Sequence, residues 1–353
     1  MKPERKFWQS ALFWNVAPLL AALLFTTLLM LAVGAPPLRA FAEILQGAFE
    51  SPQKWADVAM AWTPLALIGA GMSLTFAAGL WNIGAEGQMI LGAICATWVA
   101  RNMTLPQPVL LGLIVLAGLA GGALWGLLTG SLKVYARVHE IFAGLGLNFI
   151  ATALIIWLIF NPWKPERGAT MSGTVPFPEA AWVPRLGNTR LAPLSVVLAL
   201  IAVLVAYFLL KGSRFGLELR AMGKNLRAAF LQGIPTQRHT LVAFAICGAL
   251  AGLAGALQAT AVYHRLIPRI SGGLGYTGML VVILANYRPE LVPAVAIFFA
   301  AIGVGSPRLE LNLQLDASLG GVIEGTVVLF VLLGAGLRKR LGGARPPSTS
   351  EGS

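Results

Sequence analysis

The sequence predicts an all-α polytopic membrane protein with about ten transmembrane helices. Three observations carry that prediction. The 353 residues are 57% hydrophobic and 11% charged, with a mean hydropathy of +0.76. A soluble domain carries about 25% charge, so this chain lacks the polar residues to cover a water-facing surface. Apolar runs of membrane length, roughly 20 residues, recur along the whole chain. The basic residues collect in the short segments between those runs, as the positive-inside rule requires.

The first ten residues are basic and are placed in the cytoplasm, and Ala11–Gly34 is the first span. This start imitates a signal peptide, but the run is of membrane length without a clear small-residue cleavage site, so a retained helix is expected. Ala35–Asp57 contains Pro36-Pro37 and reads as a loop with room for one interfacial helix. Val58–Ala100 is long enough for two crossings at about 1.5 Å per residue, divided at Trp81–Gln88. Pro108–Val134 and Ile141–Phe160 follow, and residues 161–190, with their Pro and Trp, form an ordered external loop. Leu191–Leu210 leads into the basic segment Lys211–Arg238, and His239–Val262 is a Gly/Ala-rich span. Gly272–Ala285 is a short apolar piece before a tight break at Asn286–Glu290; Leu291–Gly305 and Ala317–Gly336 close the set. The expected organisation is one transmembrane domain over residues 1–337 and a disordered tail over 338–353.

Ten spans put both termini in the cytoplasm. Well over half of the 26 Lys and Arg then lie inside and most loop carboxylates outside; the opposite orientation would contradict the charge bias. Eight or nine spans result if Val58–Ala100 and Gly272–Gly305 divide differently. A short internal match, Gly84-Ala-Glu-Gly87 against Gly275-Tyr-Thr-Gly278, relates spans two to five to spans seven to ten. That offset of five reverses orientation, giving an inverted repeat; coincidence among common residues is the competing reading. The net charge of +12 is spread over loops, so no nucleic-acid partner is expected. Cys95 and Cys247 sit in apolar runs and His139, His239 and His264 at span boundaries, without metal-ligand spacing.

The longest basic polar stretch is Gly216–Pro235, GLELRAMGKNLRAAFLQGIP. Read as one amphipathic cytoplasmic helix, it sets Arg220, Lys224 and Arg227 on one face and Leu219, Met222, Leu226 and Phe230 on another. Gly233-Ile234-Pro235 ends it. Two roles suit such a helix: a lever pushed by a soluble partner, and a helix lying on anionic headgroups.

The second polar island is Asn82-Ile-Gly-Ala-Glu-Gly-Gln88. A charged carboxylate facing lipid costs about 3 kcal/mol or more, so Glu86 must face protein, water or a polar solute. Asn82, Glu86 and Gln88 either hydrogen-bond a neutral polyhydroxyl or base-bearing solute, or staple this junction to a neighbouring helix. Even division of Val58–Ala100 sets the motif towards the cytoplasmic end. Asn148 is a lone amide on an apolar span, suited to interhelical hydrogen bonding, and Phe149 beside it offers packing or a stacking face. Glu324, in the first turns of the last span, reads as a snorkelling or capping residue.

Three stretches together resemble a known family. Arg220-Ala-Met-Gly-Lys-Asn225 with Ala228-Ala229 and Gly233-Ile234, followed by Phe244-Ala-Ile-Cys-Gly-Ala-Leu-Ala-Gly-Leu-Ala-Gly-Ala256, is similar to the coupling segment and next helix of ABC importer permeases of the branched-chain amino acid, ribose and nucleoside group. Asn82–Gln88 resembles the signature of the nucleoside/simple-sugar branch. The resemblance spans roughly Thr63 to Gly336. Trp81 stands where relatives often carry Phe, and Ala143 and Ala249 where some carry polar residues.

The resemblance implies a type II-like importer permease with an inverted repeat, in a bacterial or archaeal cytoplasmic membrane. Its partners would be ABC ATPase subunits, a second and homologous permease, an external solute-binding protein and membrane lipid. Glu218, Arg220, Gly223, Lys224, Asn225, Arg227 and Gly233 would couple to the ATPase. Asn82, Glu86, Gln88, Asn148 and Phe149 would be path candidates. No cofactor is expected on this chain, which has no G-x-x-x-x-G-K-[ST] pattern; ATP and Mg would sit on the ATPase. The permease would itself not be an enzyme. The implied solutes are nucleosides or related purine and simple-sugar compounds. Branched-chain amino acids or ribose, and an ion-coupled secondary transporter, are the competing readings.

Overall fold

A computed structural model describes residues 11–32, 34–165 and 173–342, and among these residues every regular element is a helix. The helices are α1 (Ala11–Ala32), α2 (Pro37–Phe49), α3 (Pro52–Ala77), α4 (Ala85–Asn102), α5 (Gln107–Val134), α6 (Glu140–Phe160), α7 (Pro193–Gly212), α8 (Arg214–Lys224), α9 (Leu226–Leu231), α10 (Thr236–Leu257), α11 (Leu274–Leu284), α12 (Val292–Gly305), α13 (Pro307–Leu313) and α14 (Leu319–Gly342). A 3-10 turn covers Glu179–Ala181, and a π-helical turn, Gln258–Tyr263, extends α10.

Seven helical segments are long and apolar enough to cross a membrane, or eight if the pair Ala17–Ala32 and Pro37–Phe49, bent by 111°, is one span. Eight is the lower edge of the expected range, and seven falls one below it. The shortfall lies in α4, which opens on Glu86 and Gln88 and ends on Arg101, and in α11, which has only 11 residues. Two further expectations need correction. The basic segment is two short helices rather than one, because Asn225 breaks it. The last helix runs to Gly342, past the expected tail start at Arg338. The rest of the tail, the first ten residues and residues 166–172 of the expected external loop lie outside the described residues.

The chain packs as two units. In the first, up to Gly47 and from Gly305, α1 pairs with α14 through Phe25 and Phe330, ring centroids 5.6 Å apart. Glu43 holds Arg308 Nε at 2.8 Å and Asn312 Nδ2 at 2.7 Å.

In the second unit, Ala48–Val304, the core is α3, α4, α5 and α10. The sequence dictates this through small residues. Gly118, Gly122 and Gly126 line one face of α5, and Gly248 and Gly252 line the facing stripe of α10. A Cβ on Gly252 would fall 2.2 Å from the Gly118 carbonyl oxygen, and one on Gly92 of α4 would fall 2.2 Å from Gly252 Cα. Without a hydrophobic gradient between helices in lipid, such close backbone packing is the main attraction left. Residues 173–190 lie on the far end of α10: Thr174 N–H donates to Leu266 O at 2.9 Å and Phe177 N–H to His264 O at 2.8 Å.

Candidate functional site

The coupling candidates lie on α8 and α9. Ser213 caps α8 by accepting the Gly216 N–H at 3.1 Å. Asn225 is extended (φ −159) and caps α9 by accepting the Ala228 N–H at 3.0 Å. An Asx side chain that satisfies a helix start competes with helix continuation, which is why one predicted helix became two. Arg227 therefore leaves the face of Arg220 and Lys224. Leu219 and Met222 are buried, whereas Leu226 and Phe230 are exposed, with Leu231 beside them. Lys224 and Arg227 are exposed and make no ion pair among the described residues. Gly233 (φ +81) turns the chain out of α9 with nothing within 4 Å of its Cβ position.

Two contacts tie α8 to the membrane helices. Glu218 accepts from Arg214 Nε at 2.8 Å and faces His239 Nε2 of α10 at 2.6 Å. His239 Nδ1 meets Pro235 O at 3.0 Å, and the ring stacks on Phe215 with centroids 5.1 Å apart. Each ring nitrogen of His239 thus faces an oxygen. The hydrogen bond from Arg214, assisted by His239 and opposed by burial, holds the Glu218 carboxyl below its usual range. The second contact is backbone on backbone: a Cβ on Gly223 would lie 2.2 Å from Ala77 O, at the end of α3.

The Asn82–Gln88 motif occupies the break between α3 and α4. Asn82 and Gln88 are fully buried and bond each other reciprocally, Asn82 Nδ2 to Gln88 Oε1 at 3.0 Å and Gln88 Nε2 to Asn82 Oδ1 at 3.1 Å. Asn82 also donates to Cys247 Sγ at 3.0 Å. Glu86 is buried, and its carboxylate accepts the Gly273 N–H at 2.9 Å and the Gly275 N–H at 2.8 Å, at the start of α11. Asn148 Oδ1 accepts the Gly87 N–H at 2.9 Å, while its Nδ2 donates to Ile83 O at 3.0 Å and to Tyr276 OH at 3.2 Å. Four of the five path candidates thus meet at one node. Phe149 points away from it and is 77% exposed.

Cys247 lies midway along α10, so Asn82 and the start of α4 sit beside the middle of that helix rather than at its end. Residues 78–84 make the turn between α3 and α4. Gly79 (φ +74) ends α3, with its N–H on Phe76 O at 2.9 Å and the Leu80 N–H on Thr75 O at 2.9 Å, the αL stop of a helix.

Sequence reasoning missed four participants. Tyr276 and Gly275 were visible only as a repeat match. His239 stood as an unclustered boundary histidine, since nothing in a linear sequence brings it to Glu218. Gly79 carried no signal apart from its glycine. Among the described residues no group of three His, Cys, Asp or Glu is placed to hold a metal ion.

Comparison with known proteins agrees with this architecture. The profile of a family described as branched-chain amino acid transport system, permease component, matches residues 55–332. The glucose ABC transporter permease protein TsgB13 of Haloferax volcanii is 31% identical over 329 residues, 90% of this chain and 86% of that protein. The guanosine ABC transporter permease protein NupP of Bacillus subtilis is 26% identical over 337 residues, 93% of this chain and 95% of that protein. The nucleoside ABC transporter permease protein NupB of Lactococcus lactis is 23% identical over 329 residues, 90% of each chain. The node and the exposed α8–α9 segment lie within the matched region, and the chain belongs to the branched-chain amino acid transport system permease family, as the permease component of an ABC transporter.

Proposed function

We propose that this chain forms the translocation path of an ATP-driven importer for nucleosides or related purine and simple-sugar solutes. The observation that carries the mechanism is the α8–α9 segment. It exposes Leu226, Arg227, Phe230 and Leu231, yet rests on the end of α3 with only backbone between. A partner ATPase, carrying ATP and Mg, pushes on this surface, and the helices rock between outward- and inward-open states. A second, homologous permease completes the path, and an external binding protein delivers the solute at the face of residues 173–190. The solute class is supported by the guanosine, nucleoside and glucose permeases among the relatives.

In this reading α4 and α11 are spans in their own right, short because each begins at mid-depth. That restores ten spans, with both termini in the cytoplasm of a bacterial or archaeal cell. Asn82 and Gln88, bonded to each other, frame the path. Glu86, Asn148 and Tyr276 stand closest to it, and Phe149 joins them where the second permease packs on α6.

Co-purification in mild detergent tests this, followed by thermal-shift screening of the co-purified binding protein against guanosine, glucose and leucine. Recovery of an ATPase with a binding protein stabilised by guanosine or glucose is the expected result. Stabilisation by leucine alone would overturn the solute class. A stable oligomer of this chain without an ATPase would overturn the coupling reading.

A further inference from the structure

The strings Gly84–Gly87 and Gly275–Gly278, matched in the sequence, touch in the structure. A Cβ on Gly275 would fall 2.6 Å from Glu86 N and 2.6 Å from Glu86 Oε2. They are the starts of two helices that leave the node in opposite directions. Past the end of α4, Gln107 Nε2 donates to Trp182 O, and Trp182 stacks on His264, beyond the C-terminal end of α10. Along α11, Gly278 meets Ile68 of α3, and beyond the helix Tyr287 stacks on Phe76 in the last turn of α3, centroids 5.2 Å apart. The C-terminal end of α3 lies towards the N-terminal end of α10, since α8 touches both, Gly223 against Ala77 O and Glu218 on His239.

Each helix start is satisfied from outside itself. The Gly87 N–H of α4 is taken by Asn148 of α6. The start of α11 has no side-chain cap of its own; the Gly273 and Gly275 N–H groups are taken by Glu86 from α4. First-turn N–H groups have no intrahelical partner, and one left unpaired away from water is costly. The tie has no slack. The bracket carrying Glu86 is held by the Asn82–Gln88 pair, by Asn148 on Ile83 O, and by Gly144 against Gly84, where a Cβ on Gly144 would lie 2.7 Å from Gly84 N. The same bracket begins at Gly79, against Gly223 of α8.

We infer that Glu86 is the positioning residue through which movement of α8 reaches α11: the bracket 78–86 carries displacement of Gly223 to the mid-depth start of α11, and α11 moves because Glu86 holds its first turn. This rests on the coupling reading of α8–α9 above.

The test uses the full complex with its ATPase, with Cys95→Ala removing the partly exposed native thiol; Cys247 is buried. Two reporters are compared, Met279→Cys on partly exposed α11 and Leu231→Cys at the end of α9, 77% exposed. Reactivity with a methanethiosulfonate reagent is measured with and without ATP and vanadate. Both reporters should respond in the parent, by about fivefold or more, the low end of useful coupling. Glu86→Gln should keep the Leu231 response and lose the Met279 response, and Glu86→Asp should restore part of it. A Met279 response in Glu86→Gln equal to the parent's would overturn the inference. Failure of both reporters in the parent would overturn the coupling reading and the inference with it. Should Glu86→Gln not assemble, Gly275→Ala breaks the same contact and is read in the same way.

Discussion

Gly223 of α8 lies directly against Gly79 beyond the end of α3. A Cβ on Gly79 would fall 3.3 Å from Gly223 Cα, and one on Gly223 would fall 2.2 Å from Ala77 O and 3.2 Å from Gly79 N. No side chain cushions the contact, so displacement of α8 passes straight into the α3–α4 break.

Gly223→Ala should therefore lift α8 from its seat. Overpacking of this kind costs typically about 1–3 kcal/mol, here applied to one contact rather than to the core. The expected outcome is normal insertion and retained ATP hydrolysis, with solute uptake reduced by about fivefold or more. Gly233→Ala, where no atom lies within 4 Å but φ is +81, should strain only the turn after α9 and leave the uptake-to-hydrolysis ratio closer to the parent. Vesicle uptake and ATPase assays on the same preparations check both.

The Glu218 contact carries a pH signature. Its carboxyl is held below the ordinary range, first by the hydrogen bond from Arg214 and then by His239, against burial. A depressed carboxyl contributes stability that is present above its unfolded value and lost as pH falls through the folded value. Docking of α8 on α10 should thus persist through mildly acidic conditions and loosen only below the usual carboxylate range. Fluorescence of a probe attached through Leu217→Cys, on the exposed side of α8, should show one acid transition in the parent. Glu218→Gln should abolish that transition. An unchanged transition in Glu218→Gln would place the titrating group elsewhere.

Asn82 and Gln88 should couple energetically. Removing one amide leaves the other buried without its partner, a loss of about 1–3 kcal/mol in water-soluble proteins. Interhelical polar pairs in membrane proteins average only about 0.6 kcal/mol, with a maximum near 1.7, because the unfolded chain in the bilayer finds other partners. The membrane value governs here. The single variants Asn82→Leu and Gln88→Leu should each lower the melting temperature, and the double variant should lose less than their sum. Strict additivity would mean that the two amides act independently.

Much of this molecule was legible in its sequence. Apolar runs located the helices, and Trp81–Gln88 and Asn286–Glu290 marked the breaks, because helix stops are local chemistry. Asn82, Glu86 and Asn148 stood out because polar groups in an apolar run demand partners. What those partners were was not legible. Glu86 and Gly273 are brought together only by the return of α11 to the start of α4, and His239 meets Glu218 only once α8 folds under α10. The division of the basic segment followed from Asn225, whose local capping geometry outweighed an unbroken helical pattern.

Gly252 of α10 meets both α4, at Gly92, and α5, at Gly118 and Gly122, and it separates close packing from helix propensity as the source of the core's stability. Ala is a better helix former than Gly by about 0.8–1.0 kcal/mol, so on propensity alone Gly252→Ala would stabilise α10. Its Cβ, however, would fall 2.2 Å from Gly118 O, 2.7 Å from Gly122 Cα and 2.8 Å from Gly122 N. All three are backbone atoms in helices already pressed together, so the clash is relieved only by moving α5 as a body. That would also open the Gly122–Gly248 contact, where a Cβ on Gly122 would lie 2.0 Å from Gly248 O. Packing should win, and Gly252→Ala should cost about 1–3 kcal/mol or more, read as a lower melting temperature in detergent. Gly146→Ala on α6, with nothing within 4 Å, meets no opposing term and should be neutral or stabilising. If the two variants shifted stability in the same upward direction, glycine packing would not be what holds α4, α5 and α10 together.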